Sequence, residues 1–270
     1  TTMSMAGLGE GAYKLYVVDR AGNLSAGTLP TVMIDNTDPV APTSVQVATA
    51  SDLGSSNSDG ITSDSTPTIK VIAAENGGTI TVTASKSGSS NVSCSVSGST
   101  TGSTCELTTL VDGTWALSAS QSDAAGNASS SVSGSVTIDT AAPTISGVSS
   151  TTADGSIKAG VAVDVRVSFD SLVNLNISGG SPTVVLETGT TDRSATYVSG
   201  SASSTLVFSY TVQVGDTSAD LDYVATSSLS LNGSTISDVA GNNAVVTLAA
   251  PGAAGSLGAA QAIVIDTTAP

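Results

Sequence analysis

Aspartate supplies most of the chemistry available to this chain. Of its 22 acidic residues only Glu10, Glu75, Glu106 and Glu187 are glutamates, against 7 Lys and Arg and no His. Asp52, Asp59 and Asp64 fall in one polar stretch, 51–67, that holds no basic residue. Such carboxylates suit a hard cation, since Ca²⁺ collects about six to eight oxygens from carboxylates, carbonyls, Asn side chains and water. A second aspartate pattern recurs as Asp19-Arg20-Ala21-Gly22-Asn23, Asp123-Ala124-Ala125-Gly126-Asn127 and Asp238-Val239-Ala240-Gly241-Asn242. Two chemistries fit it. The Asp can cap backbone N–H groups of a turn whose Gly takes a positive φ, or Asp and Asn can offer oxygens to a metal. The pattern itself leaves both open.

What is missing narrows the field. Without His there are no His-based triads and no His metal sites. No nucleophile elbow, phosphate loop or dinucleotide fingerprint occurs in a strand–turn–helix setting. Asp220 and Asp222 stand two apart on a strand-like or loop segment, which is no sign of acid–base work. The chain is therefore expected not to be an enzyme. A net charge of −15 without clustered Lys and Arg excludes nucleic acid as a partner; the same acidity also serves solubility. The only cysteines, Cys94 and Cys105, lie in a Ser/Thr/Gly-rich stretch. An isolated pair in an export-like composition predicts a disulfide across a short hairpin, with two thiols packed as small apolar groups as the alternative. The most apolar segment, 244–265, is interrupted by Pro251 and several glycines and does not read as a membrane span.

These residues are positioned by strands. Ser, Thr, Gly, Ala and Val dominate, and only 11% of residues are charged, so helices are disfavoured. Each copy of the aspartate phrase stands between strand-like runs and is followed by a linker: Ile34-Asp35-Asn36-Thr37-Asp38-Pro39, Ile138-Asp139-Thr140-Ala141-Ala142-Pro143 and Ile265-Asp266-Thr267-Thr268-Ala269-Pro270. Recurrence at domain spacing marks a tandem array. It predicts the C-terminal part of one domain over 1–39, a full domain over 40–140, and a larger one with its linker over 141–270. Strands are expected at 45–50, 68–74, 79–85, 92–96, 105–110, 114–120 and 131–138. In the larger domain they are expected at 161–169, 183–187, 195–199, 205–213, 228–231 and 262–265. Short, turn-bounded strands at this density indicate all-β, tandem immunoglobulin-like β-sandwiches arranged end to end. Tyr13 and Trp115 open equivalent strands and are read as core or corner aromatics.

The run 51–67, together with the D-x-A-G-N phrases and the I-D-T-x-x-P linkers, resembles the bacterial Ig-like repeats of giant calcium-dependent surface adhesins, including the repeats-in-toxin type. The third unit carries Ala195-Thr196-Tyr197-Val198-Ser199-Gly200, Thr205 through Val212, and Gly215 through Tyr223. It is similar to a long repeat of bacterial surface proteins, also found in a cyanobacterial swimming-motility protein. The resemblance implies stalk units and identifies no ligand.

In sandwiches joined in series, the first loop of one domain faces the penultimate loop of the next. Asp52, Asp59 and Asp64 are thus expected near Asp139 and the Asp238–Asn242 phrase, and Asp35 and Asp38 beside Asp123 and Asn127. Sequence-distant acidic sets meeting at a junction resemble the calcium clamps of cadherin-type arrays. A divalent cation would offset their mutual repulsion. The leading expectation is a structural stalk segment of a large secreted or cell-surface bacterial protein, with calcium at its junctions and neighbouring repeats as partners. A subunit of an extracellular fibre, sheath or surface layer, associating laterally, is one alternative. A glycan- or protein-binding module is the other.

Overall fold

A computed structural model of the chain describes residues 6–25 and 31–269. Pro270, which closes the third linker phrase, lies outside the described residues. The chain divides into two compact units, Thr1–Ser51 with Thr66–Thr137, and Asp52–Ser65 with Ile138–Pro270. The polar stretch that carries Asp52, Asp59 and Asp64 therefore groups with the second unit.

In the first unit, Gly11–Lys14 (β1) and Thr31–Ile34 (β2) form an antiparallel pair. Ser44–Val47 (β3) follows; Ile61–Thr62 (β4) lies in the stretch that groups with the second unit. Then come Thr68–Ile72 (β5), Thr79–Ser85 (β6), Val92–Ser97 (β7), Ser103–Glu106 (β8), Gly113–Ser122 (β9) and Val132–Ile138 (β10). One sheet runs β10–β9–β6–β7 and another β3–β5–β8. Period-two alternation decides what lies between them. Val45 and Val47, Ile69 and Val71, Ile80, Val82 and Ala84, and Trp115, Leu117 and Ala119 are all buried, while the intervening Ser and Thr are not. This is the two-layer packing of a β-sandwich.

The cysteines are joined, Cys94 to Cys105, but not across a hairpin. Cys94 is on β7 and Cys105 on β8, edge strands of different sheets. The bond ties one sheet to the other at the open side of the sandwich. The chain between them crosses over because Val82 pairs with Cys94 while Ile69 pairs with Cys105.

The second unit is built from Ile145–Ser149 (β11), Gly155–Ile157 (β12), Ala162–Asn176 (β13), Thr183–Leu186 (β14), Arg193–Ser199 (β15) and Ser203–Thr211 (β16). Thr217–Ser218 (β17), Leu229–Ser230 (β18), Thr235–Ser237 (β19), the single-turn helix Leu257–Ala260 (α1) and Ile263–Asp266 (β20) complete it. Its large sheet runs β11–β13–β16–β15–β14–β18, and β12–β20–β17 forms the small one, with β12 and β20 parallel. Val163, Val165, Val167 and Phe169 face a core that includes Leu186, Leu206, Phe208, Tyr223 and Ile263. β13 runs past Phe169. A register shift between Ser168 and Val173 lets its far end pair with β19 instead of β16, so one long strand borders two partners.

Candidate functional site

Each D-x-A-G-N phrase is a closed loop built on its aspartate. Asp123 Oδ1 accepts the N–H groups of Ala125, Gly126 and Asn127 at 2.8, 2.7 and 2.9 Å, and its Oδ2 accepts Asn127 Nδ2 at 2.8 Å. Asp19 does the same with Ala21, Asn23 and the Asn23 amide. Asp238 Oδ1 accepts Asn242 N–H at 2.8 Å and its Oδ2 accepts Asn242 Nδ2 at 2.9 Å. The glycine turns the chain at φ +89°, +96° and +96° in Gly22, Gly126 and Gly241, a region open to Gly and costly for others. The side-chain amide of Asn127 holds the Asp123 carboxyl below the usual carboxylate range, and Asn23 does so for Asp19.

In two copies the asparagine also reaches the preceding linker. Asn127 Nδ2 donates to the Asp35 carbonyl at 3.1 Å, and Asn242 Nδ2 donates to the Asp139 carbonyl at 2.8 Å. Asp35 and Asp139 thus meet their loops through backbone oxygens. Their carboxylates cap the linker, Asp35 Oδ1 accepting Thr37 N–H and Asp139 Oδ1 accepting Ala141 N–H, each at 3.1 Å. Among the described residues no hydrogen bond connects Asp38 with the Asp123 loop; Asp38 is exposed.

The 52–65 stretch docks on the third loop within the second unit. Ser55 N–H donates to the Val239 carbonyl at 3.1 Å, Ser63 N–H to the Ala240 carbonyl at 3.0 Å, and Asp139 N–H to the Thr62 carbonyl at 3.0 Å. Gly54, at φ +114°, lies so close that a Cβ there would stand 2.1 Å from the Val239 carbonyl oxygen. Sequence reasoning brought these segments together by their carboxylates; the contacts are made by backbone, through Gly54, Ser55, Thr62 and Ser63. Only the glycine hinted at so close an approach.

Asp52 is the exception among the acids. It is 4% exposed. Its Oδ2 accepts Gly60 N–H at 3.1 Å, whereas its Oδ1 is buried without a hydrogen-bond partner. Burial pushes its carboxyl up, and the charge of Asp59 adds to this against the Gly60 hydrogen bond. Asp59 Oδ1 caps Ile61 N–H, and Asp64 N–H donates to Thr62 Oγ1. Among the described residues no three His, Cys, Asp or Glu side chains gather into a metal-holding group. The orphan oxygen of Asp52, with Asp59 near it, is the one place where an acidic pair asks for a cation. A recess of about 350 Å³ beside the docked loop is lined by Gly54, Ser55, Asn174, Asn176, Thr235 and Ser237 among others, and no aromatic ring lines it.

The corner aromatics make one further shared bond. Trp115 Nε1 donates to the Val111 carbonyl and Tyr13 OH to the Gly9 carbonyl, both at 2.9 Å and both four residues upstream. This is the tyrosine-corner arrangement of Ig-like sandwiches, with indole replacing phenol in one copy.

Among the described residues no helix is long and apolar enough to cross a membrane. No curated protein matches the chain. A solved structure from work on host cell surface retention of a 1.5-MDa bacterial ice-binding adhesin is similar at 20% identity and a TM-score of 0.35, over 84% of this chain and 68% of that one; so remote a likeness carries no argument. Residues 39–140 match the family model of the bacterial Ig-like domain, which agrees with the sandwich, the corner tryptophan and the loop–linker pairing found there.

Proposed function

We propose that this chain is a structural stalk segment of a large secreted or cell-surface bacterial protein, spacing other parts of that protein by serial Ig-like units. The observation that carries this reading is the use made of the repeated phrases. Loop asparagines hold linker carbonyls in two copies, so the recurring chemistry is spent on joining consecutive segments. No open site in the described residues draws on it. The aromatic-free recess gives a stacking platform for sugar rings nothing to work with.

Calcium is the finer part of the proposal. Asp52 and Asp59 would hold it, with carbonyl and water oxygens completing the shell. The ion would satisfy Asp52 Oδ1 and cancel repulsion between the two carboxylates. A second reading, lateral assembly into a fibre or surface layer, is favoured by Tyr16, Val17, Val18, Leu24 and Met33, which stay 48–68% exposed in and around the first hairpin. Electron microscopy of the full chain separates the two. Single unbranched rods support the stalk; ordered filaments or lattices replace it with the assembly reading; compact particles remove both.

A further inference from the structure

The three linkers share one geometry. Asp35 Oδ1 caps Thr37 N–H at 3.1 Å, Asp139 Oδ1 caps Ala141 N–H at 3.1 Å, and Asp266 Oδ1 caps Thr268 N–H at 3.0 Å. In the first two the same aspartate offers its backbone carbonyl to the asparagine of a D-x-A-G-N loop 92 and 103 residues further on. Two independent copies of one bond, made by the same residue types at matching places, point to a recognition rule. The loop aspartate orients the asparagine amide through one N–H, leaving the other to read a carbonyl. Reading a carbonyl requires a backbone turned outward, and the Asp-capped turn of the linker presents it.

Each side of this pair also occurs without its partner. Among the described residues the Asn23 amide bonds only its own Asp19, and no Asn side chain bonds to the Asp266 carbonyl. β20 ends at Asp266, and Thr267 Oγ1 anchors the departing linker by donating to the Asp216 carbonyl at 2.9 Å. Asp216 is itself fixed by Arg193, Tyr210 and Gln213. The exit is therefore held ready at a rigid corner.

We propose that the D-x-A-G-N loop is a metal-independent receptor for the capped linker aspartate of a preceding Ig-like unit, with its asparagine as the reading residue, and that the Asp266 linker docks the same loop of another Ig-like unit. This rests on the stalk reading for its biological setting, though the bond itself does not.

Amide hydrogen exchange on the full chain, in chelator throughout, tests it. Asn242→Asp keeps the size of the side chain and removes the donor. Exchange at Ala141 should speed up roughly fivefold, the worth of one net hydrogen bond, with β19 unchanged. Asn127→Asp should do the same at Thr37. Asn23→Asp, which disturbs the same loop chemistry with no linker attached, should leave both linkers alone. A chain extended after Pro270 by a second copy of residues 40–140 should slow exchange at Thr268 by a similar factor. Asn127→Asp in the added copy should abolish that. Linker amides that ignore Asn242→Asp and Asn127→Asp, or that move no more than β19, overturn the receptor role. An unchanged Thr268 in the extended chain overturns the docking assigned to Asp266. If the linkers respond while microscopy shows no rods, the stalk fails and the joint stands.

Discussion

Gly54→Ala probes the docking of the 52–65 stretch at its tightest point. The new Cβ would lie 2.1 Å from the Val239 carbonyl oxygen and 2.8 Å from the Ala240 carbonyl carbon. Both are backbone atoms, so no side-chain rotation relieves the overlap. Staying docked combines overpacking of about 1–3 kcal/mol with about 1–2 kcal/mol for an L-residue at φ +114°. Letting go forfeits the Ser55–Val239 and Ser63–Ala240 hydrogen bonds, about 1 kcal/mol each. The second route is cheaper and caps the damage, so the stretch should undock at a cost of about 2 kcal/mol. That corresponds to roughly thirtyfold faster exchange at the Ser55 and Ser63 amides. Gly77→Ala is the control: its φ is +86°, yet no atom lies within 4 Å of the added Cβ, so it carries backbone strain alone and should leave those amides protected. Hydrogen exchange with urea unfolding reads both variants. Equal exchange at Ser55 and Ser63 in the two would refute the claim that close backbone approach holds this stretch.

Reducing Cys94–Cys105 frees a link across 11 residues of sequence and should lower stability by about 3 kcal/mol, measured as a drop in the urea midpoint with reductant. Burial alone would raise the Asp164 carboxyl, but donors from Arg166, Thr151 and Ser150 overrule it and hold it far below the ordinary value of 3.8. A carboxyl lowered on folding stabilises above its unfolded pKa and loses that contribution as pH falls below about 4. Asp164→Asn should therefore cost stability at neutral pH and flatten the acid limb; an acid limb as steep as the parent's would count against this. Asp52 has the opposite sign: its raised carboxyl penalises the charged form once pH exceeds the folded pKa. Asp52→Asn should match or exceed the parent in chelator and lose any gain in melting temperature on adding calcium; a gain equal to the parent's would remove Asp52 from the cation shell.

The strands were legible where polar and apolar residues alternate without a break. β6 covers the expected 79–85, because Ile80, Val82 and Ala84 share one buried face. β13 outran its expected end at Phe169, since Asp170 and Ser171 interrupt the alternation just where the register shifts. β4 was invisible as two residues inside a polar run. The turn between β7 and β8 reads the same whether the chain returns to its own sheet or crosses to the other, so the cystine was placed on the wrong kind of connection. At the candidate site the spacing of Asp and Asn suggested that loop, linker and 52–65 would meet. It could not say that the Asn amide and the linker carbonyl, 92 and 103 residues apart, would form the contact. Nor could it single out Asp52, whose burial depends on tertiary packing.

Small-angle scattering of the full chain tests the stalk most directly, recorded in calcium, in chelator, and in chelator with Asn127→Asp and Asn242→Asp combined. Serial units held by loop–linker bonds predict an elongated particle of one well-defined maximum dimension in chelator, stiffened further by calcium and loosened by the double substitution. A compact particle in every condition, or an elongated one indifferent to both asparagines, would contradict the account.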